Sequence, residues 1–296
     1  MSYNPKSEGK YILDRAMFWI NSVPYEVTAR WVFYRLLQEG TYNEKAGYRH
    51  LLALTSKARK NFYADWRPWT LADDTRTPVL MQRTGYYGLH LRGSGFENER
   101  EWLNTLKEEI TCPLNRWTGQ KVYSELYFEA HAMQGQFLHY ANENLPLLAF
   151  GGDVSIAAKW KTAQRLAERF KELNKPIHIF YFGDYDEKGL MIPESAWHDI
   201  YSWTAALIVK MGVDRSEIPN RLHLHRIGIN EDQIESMNLP ENPERPGTYQ
   251  WEALNDDQAE ELINQANGYL DLQAFEQVQD EEREITAMLK DKLKDI

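Results

Sequence analysis

Apolar residues follow two rhythms along this chain, and the change comes near Lys121. Before it they recur at helical spacing. Ile12–Ile20 reads as a buried helix closed by Ser22-Val23-Pro24. Thr28 opens a second helix in which Ala29, Val32, Phe33, Leu36 and Leu37 fit the 3.6-residue period, and Gly40 stops it. Ala46–Phe62 gives a third, with Leu51, Leu54, Ala58 and Phe62 inward and Arg49, Lys57, Arg59 and Lys60 around its outer faces. Thr77–Asn98 is irregular, its Tyr86–Leu91 alternation suits a wing hairpin, and Glu99–Ile110 is a short helix. Short helices, tight turns and basic residues late in the third predict a helix-turn-helix or winged-helix unit. The alternative is a small helical bundle with no nucleic-acid role.

After Lys121 strands and helices alternate. Val122–Phe128, Leu145–Phe150, Ile177–Phe182 and Leu222–Ile227 read as strands. Between them lie helices at Ala130–Tyr140, with Met133 and Phe137 inward, at Ser155–Leu173, and at Pro193–Met211 with an opening at Gly189. Such an order predicts an α/β fold, a mostly parallel sheet with helices on both faces. The tail beyond Glu231 is acidic but keeps apolar residues at helical spacing, as a helical extension packed on the sheet would. The expected organisation is 1–117, 118–230 and 231–296.

Composition narrows the classes. The 296 residues, 43% hydrophobic and 26% charged, leave room for two domains of an ordinary globular protein. No apolar run reaches the roughly eighteen residues of a membrane span, and the start, MSYNPKSEGK, is polar. The expectation is a cytoplasmic protein with no membrane partner. Cys112 is the only cysteine, which excludes an internal disulfide or a cysteine-rich zinc site. The net charge of −10 argues against nucleic acid, yet its distribution points the other way. Met1–Lys121 holds 18 Lys and Arg against 13 Asp and Glu, whereas the remainder holds 16 against 31. A basic first half joined to an acidic second half is compatible with duplex DNA bound by the first.

The candidate chemistry centres on IHIFYFGDYDEKG, Ile177–Gly189. An apolar strand breaks at Gly183, and Asp184 and Asp186 follow at the strand's carboxyl end, where ligands of parallel sheets bind. Glu129 ends an earlier strand and reaches the same edge. Three carboxylates repel one another unless a cation sits among them, so the arrangement suits Mg²⁺ or Mn²⁺. A solvated acidic turn is the plain alternative. In the second helix, Arg30 precedes Tyr34 by one turn, and a guanidinium beside a phenol favours its ionised, nucleophilic form. By spacing alone, in a chain with 17 tyrosines, Tyr34 reads as an amphipathic packing residue, and the nucleophile reading needs support from elsewhere.

These stretches resemble a known family. Glu129 followed by Gly183-Asp184-Tyr185-Asp186-Glu187-Lys188-Gly189 is similar to the Toprim domain of topoisomerases, primases and related nucleases. Arg30-Trp31-Val32-Phe33-Tyr34, Ala58-Arg59 and Asp74-Thr75-Arg76 resemble the winged-helix domain of the topoisomerase VI A subunit and the meiotic double-strand-break transesterase. The closest likeness is to standalone bacterial and phage proteins of that two-domain plan. It extends through Trp117…Gln120, Glu125-Leu-Tyr-Phe-Glu129, Asp232-Gln233-Ile234…Asn238-Leu239-Pro240 and Glu252-Ala253-Leu254.

The resemblance implies a nucleoid-associated, mobile-element or phage type of protein that cleaves DNA. Tyr34 falls on the tyrosine that attacks a phosphate and becomes 5′-linked, oriented by Arg30. Glu129, Asp184 and Asp186 fall on the metal carboxylates, and a homodimer brings the tyrosine of one subunit to the metal site of the other. Arg35, Arg49, Lys57, Arg59 and Lys60 are the expected DNA contacts. The chain departs from the pattern at Ala130, where lysine is common, at Gly151, where arginine is frequent, and at Glu187-Lys188, which replaces a proline-containing pair. Three other readings stay open: a Toprim hydrolase without a tyrosine adduct, a primase-like activity, and a non-catalytic DNA-binding subunit of a larger complex. No GxxxxGK[ST] loop is present, so an ATPase for strand passage would be another chain.

Overall fold

A side-chain cap starts the second of the N-terminal helices. The computed structural model describes residues 3–23, 27–42, 47–71, 79–81, 95–242 and 245–293. Within them α1 spans Ser7–Asn21, α2 Ala29–Gln38 and α3 Gly47–Lys60. The Thr28 hydroxyl accepts the Trp31 N–H at 3.2 Å, supplying a partner for a backbone donor that α2 itself cannot satisfy. Gly40 follows α2 at φ +85°, a conformation glycine adopts without strain. Leu13, Val32, Phe33, Leu36, Leu51 and Ala58 close the core of these helices, separate from the core of the sheet. The Tyr86–Leu91 hairpin and Asp74-Thr75-Arg76 lie outside the described residues.

Phe62 is a correction. α3 ends at Lys60, and Phe62 sits beyond it at φ +53° with its ring against Trp160 and Trp203, at 5.6 and 6.4 Å. It faces the second half of the chain rather than its own core. Trp69 meets Trp160 at 5.3 Å in the same seam, and Lys60 pairs there with Asp199 at 2.6 Å.

The sheet has five strands: β1 Val79–Met81, β2 Tyr123–Phe128, β3 Leu147–Ala149, β4 Ile177–Phe182 and β5 Leu222–Gly228, in the order β1-β3-β2-β4-β5. β3, β2, β4 and β5 are parallel; β1 runs antiparallel to β3. β2 is buried throughout and β4 nearly so, as strands covered on both faces are, and β2 takes Ser124 and Glu125 into the interior with its apolar residues. β1 comes from the stretch expected to be irregular, so the first half of the chain contributes an edge to the second half's sheet.

Helices cover both faces. α4 is Glu99–Glu109, α5 is Gln134–Tyr140 after a 3₁₀ turn at His131–Met133, α6 is Ile156–Leu173 and α7 is Glu187–Lys210. From α6, Arg165 reaches the buried Glu125 of β2. From α5, Phe137 stacks on Phe128 at 4.5 Å and meets Phe182 at 4.9 Å. Residues alternate along β2 between these two faces. The tail forms α8 Glu231–Ser236, α9 Asp256–Asn267 and α10 Leu272–Lys292. α9 packs on α5 and β5. α10 returns to the connector, where Glu282 accepts the Leu114 N–H at 2.9 Å and Arg116 Nε at 3.0 Å.

A carboxylate cluster at the sheet edge as candidate functional site

β4 ends at Phe182, and the chain must turn over the tops of β2 and β5 to enter α7. Gly183 makes the turn possible: a Cβ there would stand 2.7 Å from Glu129 Oε2 and 2.9 Å from Tyr181 Oη. Gly183 is anchored to the end of β5 on both sides, its N–H donating to Gly228 O and its carbonyl accepting from Ile229 N, each at 2.7 Å. Two residues on, Tyr185 exchanges backbone bonds with Tyr249, so a segment from the C-terminal extension lies against the same loop.

Each of the three carboxylates has one oxygen tied to a backbone N–H. Glu129 Oε2 accepts from Asp184 at 3.1 Å, Asp184 Oδ1 from Trp251 at 2.8 Å, and Asp186 Oδ1 from Gly189 at 2.7 Å. The last bond makes Asp186 the N-cap of α7, which therefore starts at Glu187, earlier than the proline at 193 suggested. Proline is compatible with that helix for a specific reason. Pro193 has no N–H for the Gly189 carbonyl, and Arg226 Nη1 donates to that carbonyl at 2.7 Å instead.

Mutual repulsion marks the cluster. Burial and the neighbouring charge of Asp184 raise the Glu129 carboxyl to about 7, against the Asp184 N–H and Arg226, which pull it down. Asp184 is raised as well, by burial above all, then by Glu252 and Asp186. The remaining oxygens, Glu129 Oε1, Asp184 Oδ2 and Asp186 Oδ2, have no hydrogen-bond partner among the described residues. Carboxylates with one free oxygen each offer the kind of donor that a hard divalent cation takes. Among the described residues, no group of three or more His, Cys, Asp or Glu side chains is placed so that it could hold a metal ion. The fit is one of donor chemistry.

Tyr34 stands apart from this edge. It belongs to α2, is about half exposed at 49%, and lies 6.1 Å from the Phe33 ring. The Arg30 side chain lies outside the described part of the molecule. Of the five expected DNA contacts, Arg49 and Lys57 are exposed. Arg35 lies over the Trp31 ring at 4.8 Å and donates to Gln38, and Lys60 is held by Asp199. Arg59 is a correction: it is 3% exposed, with its guanidinium spent on the carbonyls of Pro68 and Leu71.

The departure at Gly151 has a local cause. It sits at φ +65° with His131 Nε2 2.8 Å from where a Cβ would be, so the imidazole occupies the space a longer side chain would cross. Two participants escaped sequence reasoning. Trp251 contributes only a backbone N–H, which no residue type signals. Arg226 is four residues before Asn230 on an edge strand and carries no motif. Comparison with protein-family models, with curated proteins and with solved structures finds no match.

Proposed function

We propose that this protein cleaves duplex DNA as a homodimer by a divalent-metal-dependent transesterification, with Tyr34 as nucleophile. The observation that carries the reading is the edge formed by Glu129, Asp184 and Asp186, each with one oxygen fixed by a backbone N–H and one left for a ligand. Bound there, Mg²⁺ or Mn²⁺ would supply positive charge against the phosphate oxygens of the transition state. The carboxylates' part is to hold that charge in place, and their N–H bonds fix their orientation before substrate arrives. Tyr34 Oη forms a bond to phosphorus as the bond from phosphorus to the 3′ oxygen breaks. The proton lost by the phenol is matched by one taken up at the 3′ hydroxyl. Arg49 and Lys57 are the exposed cations of α3 available to the DNA backbone.

A second reading has its own support. Tyr34 belongs to a core distinct from that of the carboxylates, so within one chain water is the simpler nucleophile. Incubation with duplex DNA and Mg²⁺ or Mn²⁺, quenched with denaturant, separates the two. The tyrosine route gives protein joined to 5′ ends, and Tyr34→Phe abolishes both adduct and cleavage. Cleavage by Tyr34→Phe that still needs Asp184 establishes a hydrolase. Absence of both products in wild type under either metal leaves a DNA-binding subunit as the surviving account.

A further inference from the structure

The aspartate loop has one internal support that the metal reading does not use. Arg226, near the end of β5, is half-buried and donates only to backbone carbonyls. Its Nη1 reaches Gly189 O at 2.7 Å. Its Nη2 reaches Asp184 O at 2.7 Å and Ile229 O at 3.0 Å, with Gly183 O at 3.4 Å. Three of these carbonyls belong to Gly183–Gly189, the stretch that carries both aspartates. One of them, Gly189 O, has lost its helical donor to Pro193. The fourth, Ile229, lies at the end of the neighbouring strand, so the guanidinium ties loop, helix start and strand end together.

Charge makes the same point. Carbonyl dipoles converging beside three carboxylates would push the loop open, and Arg226 is the cation whose charge acts on Glu129, Asp184 and Asp186 together. The planar fork of arginine can serve carbonyls on separate segments at once, and the compact ammonium of lysine cannot. Arg226 also lies over the Tyr181 ring at 5.7 Å, which fixes its side chain from the strand below.

We propose that Arg226 is the positioning residue of the carboxylate edge: by clamping the carbonyls of the Gly183–Gly189 loop, it holds Asp184 and Asp186 where they can share a divalent cation with Glu129. The metal part of this inference rests on the proposed function; the clamp does not. The Nη groups of Arg226 bond only to backbone carbonyls, and its buried Nε has no hydrogen-bond partner among the described residues, so its part is to position the loop.

The test uses the full chain as wild type, Arg226→Lys and Arg226→Met, with two readouts. The first is amide hydrogen exchange of Asp184 and Gly189 in chelator, because these N–H groups bond to Glu129 and Asp186 and report the loop without metal. The second is Mn²⁺ binding by electron paramagnetic resonance. The expected result is exchange faster by about tenfold at both amides in each variant, and Mn²⁺ affinity lower by roughly 10-fold to 100-fold. Arg226→Lys keeps the charge, so loss of affinity there assigns the effect to the fork. Unchanged protection at both amides in Arg226→Lys overturns the clamp. Wild type that takes up no Mn²⁺ sinks the proposed function instead, and the exchange data still decide the role of Arg226. If Arg226→Met does not fold, Arg226→Lys alone is read.

Discussion

Arg59 and Lys57 lie two positions apart on α3 and take opposite roles. Lys57 is exposed, whereas Arg59 is turned inward onto the carbonyls of Pro68 and Leu71. Arg59→Met would leave those carbonyls buried without their donor, at a cost of about 2–3 kcal/mol. Urea denaturation should show that loss, while the salt dependence of DNA binding by the folded variant stays unchanged. Lys57→Ala should do the reverse, with an unchanged urea midpoint and a salt slope shallower by about one. Glu129 gives the residue scale its pH dependence. Its folded value of about 7 lies above the ordinary 4.5. Below 4.5 both folded and unfolded chains hold the proton, and between 4.5 and 7 only the folded chain does. Stability of the metal-free protein should therefore fall as pH rises through that window and level off above it. Glu129→Gln should flatten the slope between pH 5 and 7, measured by urea melts in chelator. A slope that survives the substitution belongs to another group.

Among the elements, the loop from β4 to α7 leaves little room for change. At Gly189 a Cβ would stand 2.2 Å from the Asp184 carbonyl and 3.0 Å from Glu129 Oε2. Gly189→Ala must therefore shift the loop backbone, at a cost on the order of 1–3 kcal/mol, and should lose Mn²⁺ binding with it. A variant that melts and binds Mn²⁺ like wild type would mean the loop is looser than this packing requires. Much of this element was legible in the sequence. An apolar run between Lys175-Pro176 and Gly183 gives a buried strand, and acidic residues after it give the edge. What was not legible depends on chain segments meeting from afar. Arg226 reads as a polar residue on a strand, and its function exists only because β5 ends beside Gly183 and Gly189. Trp251 supplies a backbone donor across 67 residues. α7 starts at Glu187, before both Gly189 and Pro193, because Asp186 caps it and a side chain replaces the donor that Pro193 lacks. β1, at three residues, is too short for alternation to declare itself.

At the scale of the molecule, two cores meet at a seam where Lys60 and Lys159 share Asp199 and Phe62, Trp69 and Trp203 surround Trp160. The seam joins α3 to α6 and α7, so the helical unit and the sheet are held by ionic and aromatic contacts together. Tyr34 is on one side of this division, and Glu129, Asp184 and Asp186 are on the other. If the proposed chemistry uses the tyrosine of one subunit with the carboxylates of its partner, two inactive variants must complement each other. Tyr34→Phe keeps the carboxylates, and Asp184→Asn with Asp186→Asn keeps the tyrosine. After mixing under conditions that exchange subunits, a heterodimer has one complete composite site and one site lacking both parts. It should nick one strand of supercoiled DNA and form adduct on the Asp-variant chain alone, which a size tag identifies on a denaturing gel. An arrangement in cis predicts no activity from the mixture, since each chain would then lack one essential part. Sedimentation of wild type provides the control: a monomer at working concentration removes the dimer from the mechanism, and with it the need for Tyr34 to meet a partner's carboxylates.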